Sequence, residues 1–114
     1  MSAIFDGKRF EGPNPIDGEG TPDSPGVYLI CTDSAGGEKI IGLYQSDNMR
    51  EHMRNNPERK DWEPHVANEG FGRSSLHSFF IVIEKESDRL SMIYGIVDRR
   101  PYRIPCYRPP ADDF

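Results

Sequence analysis

A chain of 114 residues with 35% hydrophobic side chains and a mean hydropathy of -0.71 has room for one domain with a modest core. Aromatics at 11% exclude disorder throughout, while 11 glycines and 10 prolines call for short elements joined by polar loops. A formal charge of -5 excludes a surface that adheres to nucleic acid as a whole.

No apolar run approaches the roughly 20 residues of a membrane span, and Met1–Asp6 lacks the charged and apolar regions of a signal peptide. The expectation is a cytoplasmic domain with no membrane partner. Residues 1–25 read as an arm with little regular structure, broken by Gly7, Gly12, Pro13, Pro15, Gly18, Gly20, Pro22 and Pro25. Ile4, Phe5, Phe10 and Ile16 are its candidates for docking on a core. Val27–Cys31 and Lys39–Tyr44 read as two strands of a hairpin around the turn residues Asp33–Gly37.

Ser46 is placed to cap a helix running to about Asn55, with Met49, His52 and Met53 on one face and Arg50, Glu51 and Arg54 outside. Pro57 stops it. Residues 57–77 read as a long polar connection in which Trp62 plugs the core and Gly70-Phe71-Gly72 is a flexible loop, too short to cradle phosphate. Residues 78–84 form the strongest strand, apolar enough for burial on both faces. Ser87 then caps a helix whose stripe is Leu90, Ile93, Tyr94 and Val97, ended by Pro101. A hairpin over the same residues is the alternative, because Ile93, Tyr94, Ile96 and Val97 are also good strand formers. The order β-β-α-β-α predicts an α+β fold, a small sandwich with a central, mostly antiparallel three-stranded sheet flanked by helices. Its boundaries are an arm at 1–25, a domain at 26–108 and a short tail at 109–114.

Cys31 and Cys106 stand far apart without metal-ligand spacing; one disulfide is arithmetically possible, and two free thiols are expected of a cytosolic chain. His65 and His77 lack the further ligands a zinc site needs. Arg99, Arg100, Arg103 and Arg108 form a basic run without an acid. They either complement the C-terminal dipole of the last helix or meet an acidic protein face or a phosphate backbone.

Pro25-Gly26-Val27-Tyr28-Leu29-Ile30 resembles the first motif of the GIY-YIG nuclease superfamily, and Gly42-Leu43-Tyr44-Gln45-Ser46-Asp47-Asn48-Met49 resembles its second motif and following helix. Asn55-Asn56, Trp62 and Tyr102-Arg103-Ile104-Pro105-Cys106 are similar to features of small bacterial members, so the resemblance spans about residues 12–108. It implies hydrolysis of phosphodiester bonds. The resemblance assigns water activation to a tyrosine in the first motif, and adds a second-motif tyrosine, a helix arginine with a nearby histidine, and a glutamate holding one divalent cation. Tyr28 matches the first tyrosine. Anchoring the second motif at Ser46 puts Gly42 at its tyrosine, and anchoring at Ile40-Ile41-Gly42 puts Ile40 there. The arginine position holds His52, the histidine position Asn56, and the glutamate position falls near Gly95.

Losing one positioned charge stabiliser costs on the order of 10²–10³ in rate, and here several are replaced. The expectation is therefore a retained fold with impaired chemistry, binding nucleic acid or an acidic protein surface and needing no cofactor. Tyr28 and His52 are its candidate catalytic residues, and Tyr44, Ser46, Arg50, Arg99, Arg100 and Arg103 its candidate binding residues. The alternative is a divergent endonuclease with Mg or Mn, using Tyr28, His52 and Glu84 or Glu86, acids at the exit of the strong strand. A second alternative is a protein-interaction module with no nucleic-acid role.

Overall fold

The computed structural model describes residues 2–34, 37–68, 76–100 and 104–107. Strands β1 (Ser2–Phe5), β2 (Lys8–Asn14), β3 (Gly26–Ser34) and β4 (Gly37–Ser46) precede helix α1 (Met49–Arg54). A turn of 3-10 helix (Arg59–Asp61), α2 (Trp62–Asn68), β5 (His77–Val82) and α3 (Glu86–Asp98) follow. This is an α+β domain whose single sheet is antiparallel throughout, in the order β1-β2-β5-β3-β4.

The expected three strands are the centre and one edge of this sheet, β4-β3-β5; the other two come from the segment read as an irregular arm. Asp6 and Gly7 both take positive φ, 51° and 73°, which is the two-residue turn that matches strand twist and folds β1 onto β2. Phe5 and Phe10 flank that turn and bury into the core. The remainder of the arm crosses α1 and is fastened there. Ser24 and Pro22 carbonyls accept the N–H groups of Met49 and Arg50, so the arm caps the first turn of α1.

Alternation along β3 divides the core in two. Val27, Leu29 and Cys31 face α3 together with Phe5, Phe10, Phe79, Met92, Ile93 and Ile96. Tyr28 and Ile30 face the opposite side with Met49, Met53 and Trp62. The sheet is therefore flanked by helices on both faces, and Trp62 is a core plug with no exposed surface. Cys31 and Cys106 are unbridged thiols in different clusters, one on each side.

Several local expectations shift. Ser46 belongs to β4, opposite Gly26, so Asn48 becomes the cap of α1, accepting the Glu51 N–H at 3.1 Å. The long connection after Pro57 contains the 3-10 turn and α2. Residues 86–98 are helix, not hairpin, but the cap position is Lys85 and the buried stripe is Arg89, Met92, Ile93 and Ile96. A charged residue at the head of the stripe hid the true phase, and Leu90, Tyr94 and Val97 flank it instead. Burial of β5 on both faces holds only at Ser78 and Phe79, with Phe80 and Ile81 half-buried. Val82 is 50% exposed, because α1 lies against β3 and β4 and α2 against β4, short of that end of β5. Gly70-Phe71-Gly72, Arg103, Arg108 and the tail 109–114 lie outside the described residues. No helix of the described residues is long and apolar enough to cross a membrane.

Candidate functional site

Tyr28 and Tyr44 stand directly opposite each other on β3 and β4, their ring centroids 5.2 Å apart. The pairing depends on a bulge: Ile30 meets Gly42 but Cys31 meets Ile40, leaving Ile41 as the extra residue. Gly42 makes room for the Tyr44 ring, since a Cβ there would lie 2.7 Å from Tyr44 Cε2. The second tyrosine of the site therefore comes two residues after Gly42.

Two hydrogen-bond chains run from these tyrosines. Asn56 is buried after the end of α1, and its Oδ1 accepts the Glu58 N–H at 2.8 Å. That bond fixes which way the amide points, so Nδ2 donates to Tyr28 Oη at 3.0 Å. The Tyr28 hydroxyl is then free to donate to His52 Nδ1, 2.7 Å away, which leaves the His52 proton on Nε2. In the second chain Trp62 Nε1 donates to Tyr44 Oη at 3.0 Å, and Tyr44 donates to Glu58 Oε1 at 2.8 Å. Both chains end on Glu58, one at its backbone and one at its carboxylate.

Burial sets the proton affinities. Desolvation pushes the Tyr28 hydroxyl well above its ordinary pKa, outweighing the opposing bond from Asn56. It does the same to Tyr44 against the bond from Trp62, while burial lowers the pKa of His52. At neutral pH the site holds two phenols and a neutral imidazole. Tyr28 has no exposed surface, and its hydroxyl is occupied on both sides.

The part of this network open to solvent is a cleft around His52, formed by three adjoining depressions of about 340, 250 and 210 Å³ that all include His52. Ser46, Asp47, Glu51 and Asn55 line one end, Tyr44 and Glu58 the middle, and Leu90, Tyr94 and Tyr107 the other. Among the described residues no lysine or arginine lines it.

The basic residues nearby are engaged elsewhere. Arg50 Nε donates to the Thr21 carbonyl at 2.7 Å and Nη1 pairs with Asp23 at 3.1 Å; Arg54 and Arg59 hold the carbonyls of Asp17 and Ile16. The outer face of α1 thus fastens the N-terminal segment through Arg50 and Arg54, while Glu51 and Arg54 stay exposed. Arg89 is 2% exposed and donates to Gln45 Oε1, Asp47 Oδ1 and the carbonyls of Ile83 and Glu84.

Of the residues singled out in the sequence, Tyr28, Tyr44, Ser46 and His52 come together here. Arg99 and Arg100 do not: Arg99 pairs with Asp6 on the β1–β2 turn, and the Arg100 guanidinium lies 5.7 Å from the centroid of the Phe5 ring. Both sit on the α3 side of the sheet, at its far edge. Glu84 and Glu86 are exposed at the junction of β5 and α3, and among the described residues no three His, Cys, Asp or Glu groups stand close enough to hold a metal ion. At Gly95 a Cβ would meet the Asp6 carboxylate; it is Tyr94 that faces the cleft. Glu58 and Arg89 went unrecognised, and Asn56 stood out only as the residue at the histidine position of the resemblance, not as a hydrogen-bond partner of Tyr28. A buried asparagine before Pro57 carries no period, and Arg89 interrupts an apolar stripe in the way an exposed residue does. Compared with family models, with curated proteins and with solved structures, the chain gives no match.

Proposed function

We propose that this chain is a divergent GIY-YIG-like domain that binds a segment of a partner protein in the His52 cleft and does not cleave phosphodiesters. The observation that carries this reading is the lining of the cleft: it includes the carboxylates of Glu51, Glu58 and Asp47, the last paired with the buried Arg89, and among the described residues no lysine or arginine lines it. A phosphate backbone needs the opposite sign. The order β4-β3-β5, with the first-motif strand central and a helix following the second motif, supports the family resemblance. The β1–β2 hairpin widens the sheet beyond what the resemblance implies. Tyr28 supports the loss of chemistry, because a phenol sealed between Asn56 and His52 touches no substrate and holds its proton tightly.

Two measurements on wild type and Tyr28→Phe test this. Supercoiled plasmid incubated with Mg or Mn is expected to stay intact with either protein. Urea unfolding is expected to show Tyr28→Phe less stable by about 1–3 kcal/mol, since the buried Asn56 amide loses its acceptor. Metal-dependent nicking that disappears with the hydroxyl overturns the proposal. So does binding of a labelled DNA duplex with affinity that falls steeply with salt.

A further inference from the structure

On the side of the sheet that carries α1 and α2, α1 lies over β3 and β4 and α2 over β4, which leaves β1, β2 and the end of β5 open. Ile4 stands opposite Arg9 and Ser2 opposite Glu11 across β1–β2, and Glu11 stands opposite Phe80 across β2–β5. Directly opposed residues share a face, and side chains alternate along each strand. Ser2, Ile4, Arg9, Glu11, Phe80 and Val82 therefore project together from this side, while Phe5, Phe10 and Phe79 at intervening positions bury beneath α3. Phe80 is half-buried and the other five are exposed. Ile4 is 62% exposed and Val82 50%; of the large exposed apolar side chains among the described residues, Tyr94 alone lies elsewhere. Between these apolar groups β2 sets one charge of each sign, Arg9 and Glu11, two residues apart. Among the described residues neither side chain is held in an ion pair.

We propose that this face joins two copies of the chain, packed sheet on sheet about a two-fold axis that crosses β2 at right angles at the level of Phe10. Such an axis lays the second copy's β2 antiparallel over the first, so that each Arg9 lies over the other copy's Glu11. The same operation sets Val82 against Phe80, and Ile4 over the small side chain of Ser2. An axis along β2 would instead set Arg9 on Arg9 and Glu11 on Glu11, so the charges select the first arrangement. A different protein would have to carry the complement of this pattern, whereas a second copy already does. The few side chains involved fall short of the roughly 20–30 residues a side of a standard interface, so the dimer is a weak one that forms at high concentration. It uses no residue of the His52 cleft and stands or falls apart from the protein-binding reading above.

Sedimentation equilibrium on the whole chain tests this. The wild type is expected to dimerise reversibly, with a dissociation constant between about 10 µM and 1 mM. Arg9→Glu and Glu11→Arg each set like charges against one another across the axis, and each is expected to weaken association by about tenfold or more. The double variant restores the pairing with its direction reversed and is expected to associate within about threefold of the wild type. An equimolar mixture of the two single variants is expected to associate at least as tightly as the wild type, because one supplies two carboxylates and the other two guanidinium groups. A variant that had merely lost its fold gains nothing from such mixing. A wild type that stays monomeric at about 1 mM overturns the proposal. So does a dimer indifferent to both charge reversals, which belongs to another face of the molecule. Loss of association in each single variant that neither the double variant nor the mixture restores overturns it too.

Discussion

His52 shows how much one side chain depends on its surroundings. It is half-buried, its Nδ1 accepts from Tyr28, and burial lowers its pKa below the ordinary value. The unfolded chain therefore takes up this proton at higher pH than the folded one. Stability is unaffected by the group above about pH 6.5 and falls as the pH drops from there towards the folded pKa, because the unfolded state binds the extra proton. Thermal unfolding of wild type and His52→Gln between pH 8 and pH 5 checks this. The wild type is expected to lose more Tm than the variant below about pH 6.5, and parallel curves would refute the assignment. Tyr28 and Tyr44 belong to the same scale. Both were legible as candidate site residues from their motifs, but their hydrogen bonds to Asn56 and Glu58 were not, since only the turn after α1 brings those residues to the hydroxyls.

Among elements, α3 depends on Arg89. The helix lacks a side-chain cap at Lys85, and Arg89 instead ties its first turn back to the carbonyls of Ile83 and Glu84 and across to Gln45 and Asp47. Removing the guanidinium leaves carbonyl acceptors without their donor in a nearly buried site. Arg89→Ala is expected to cost about 1.5–3 kcal/mol in urea unfolding. Arg89→Lys is expected to recover less than half of that, because an ammonium cannot reach four acceptors that a planar fork spans. Full rescue by lysine would mean that charge alone matters there. The stripe of α3 was misread for the same reason: the sequence shows four apolar residues at helical spacing, and the true face begins with a charge. Tyr94, 45% exposed, is left at the cleft.

On the scale of the whole molecule the decisive feature is that the N-terminal segment is built into the sheet. Phe5 and Phe10 pack edge to face at 5.3 Å, and Phe5 meets Phe79 at 5.4 Å, so β1 and β2 complete the core under α3. Losing one buried phenylalanine typically costs about 3–5 kcal/mol, against a total stability of about 5–15 kcal/mol for a domain. A chain lacking residues 1–14 is therefore expected to lose its cooperative thermal transition in near-UV circular dichroism. A sharp transition in that truncated chain would show that the sheet β4-β3-β5 folds alone.

The sequence by itself determined the α+β class, the hairpin of β3 and β4, the helices after β4 and β5, and Trp62 as a core plug. These follow from local composition and period, which act within a few residues. Asp6-Gly7 was equally local, a turn signal between apolar residues that the surrounding glycines and prolines masked. What only the tertiary structure decided is where charge ends up. Arg50, Arg54 and Arg59 are used on the N-terminal segment, Arg89 is buried, and Arg99 pairs across the turn at Asp6. A chain rich in arginines is thereby left with a cleft lined by carboxylates. Pairing over such distances in sequence leaves no periodic trace, because an arginine's long side chain finds its partner only after the strands and helices have packed.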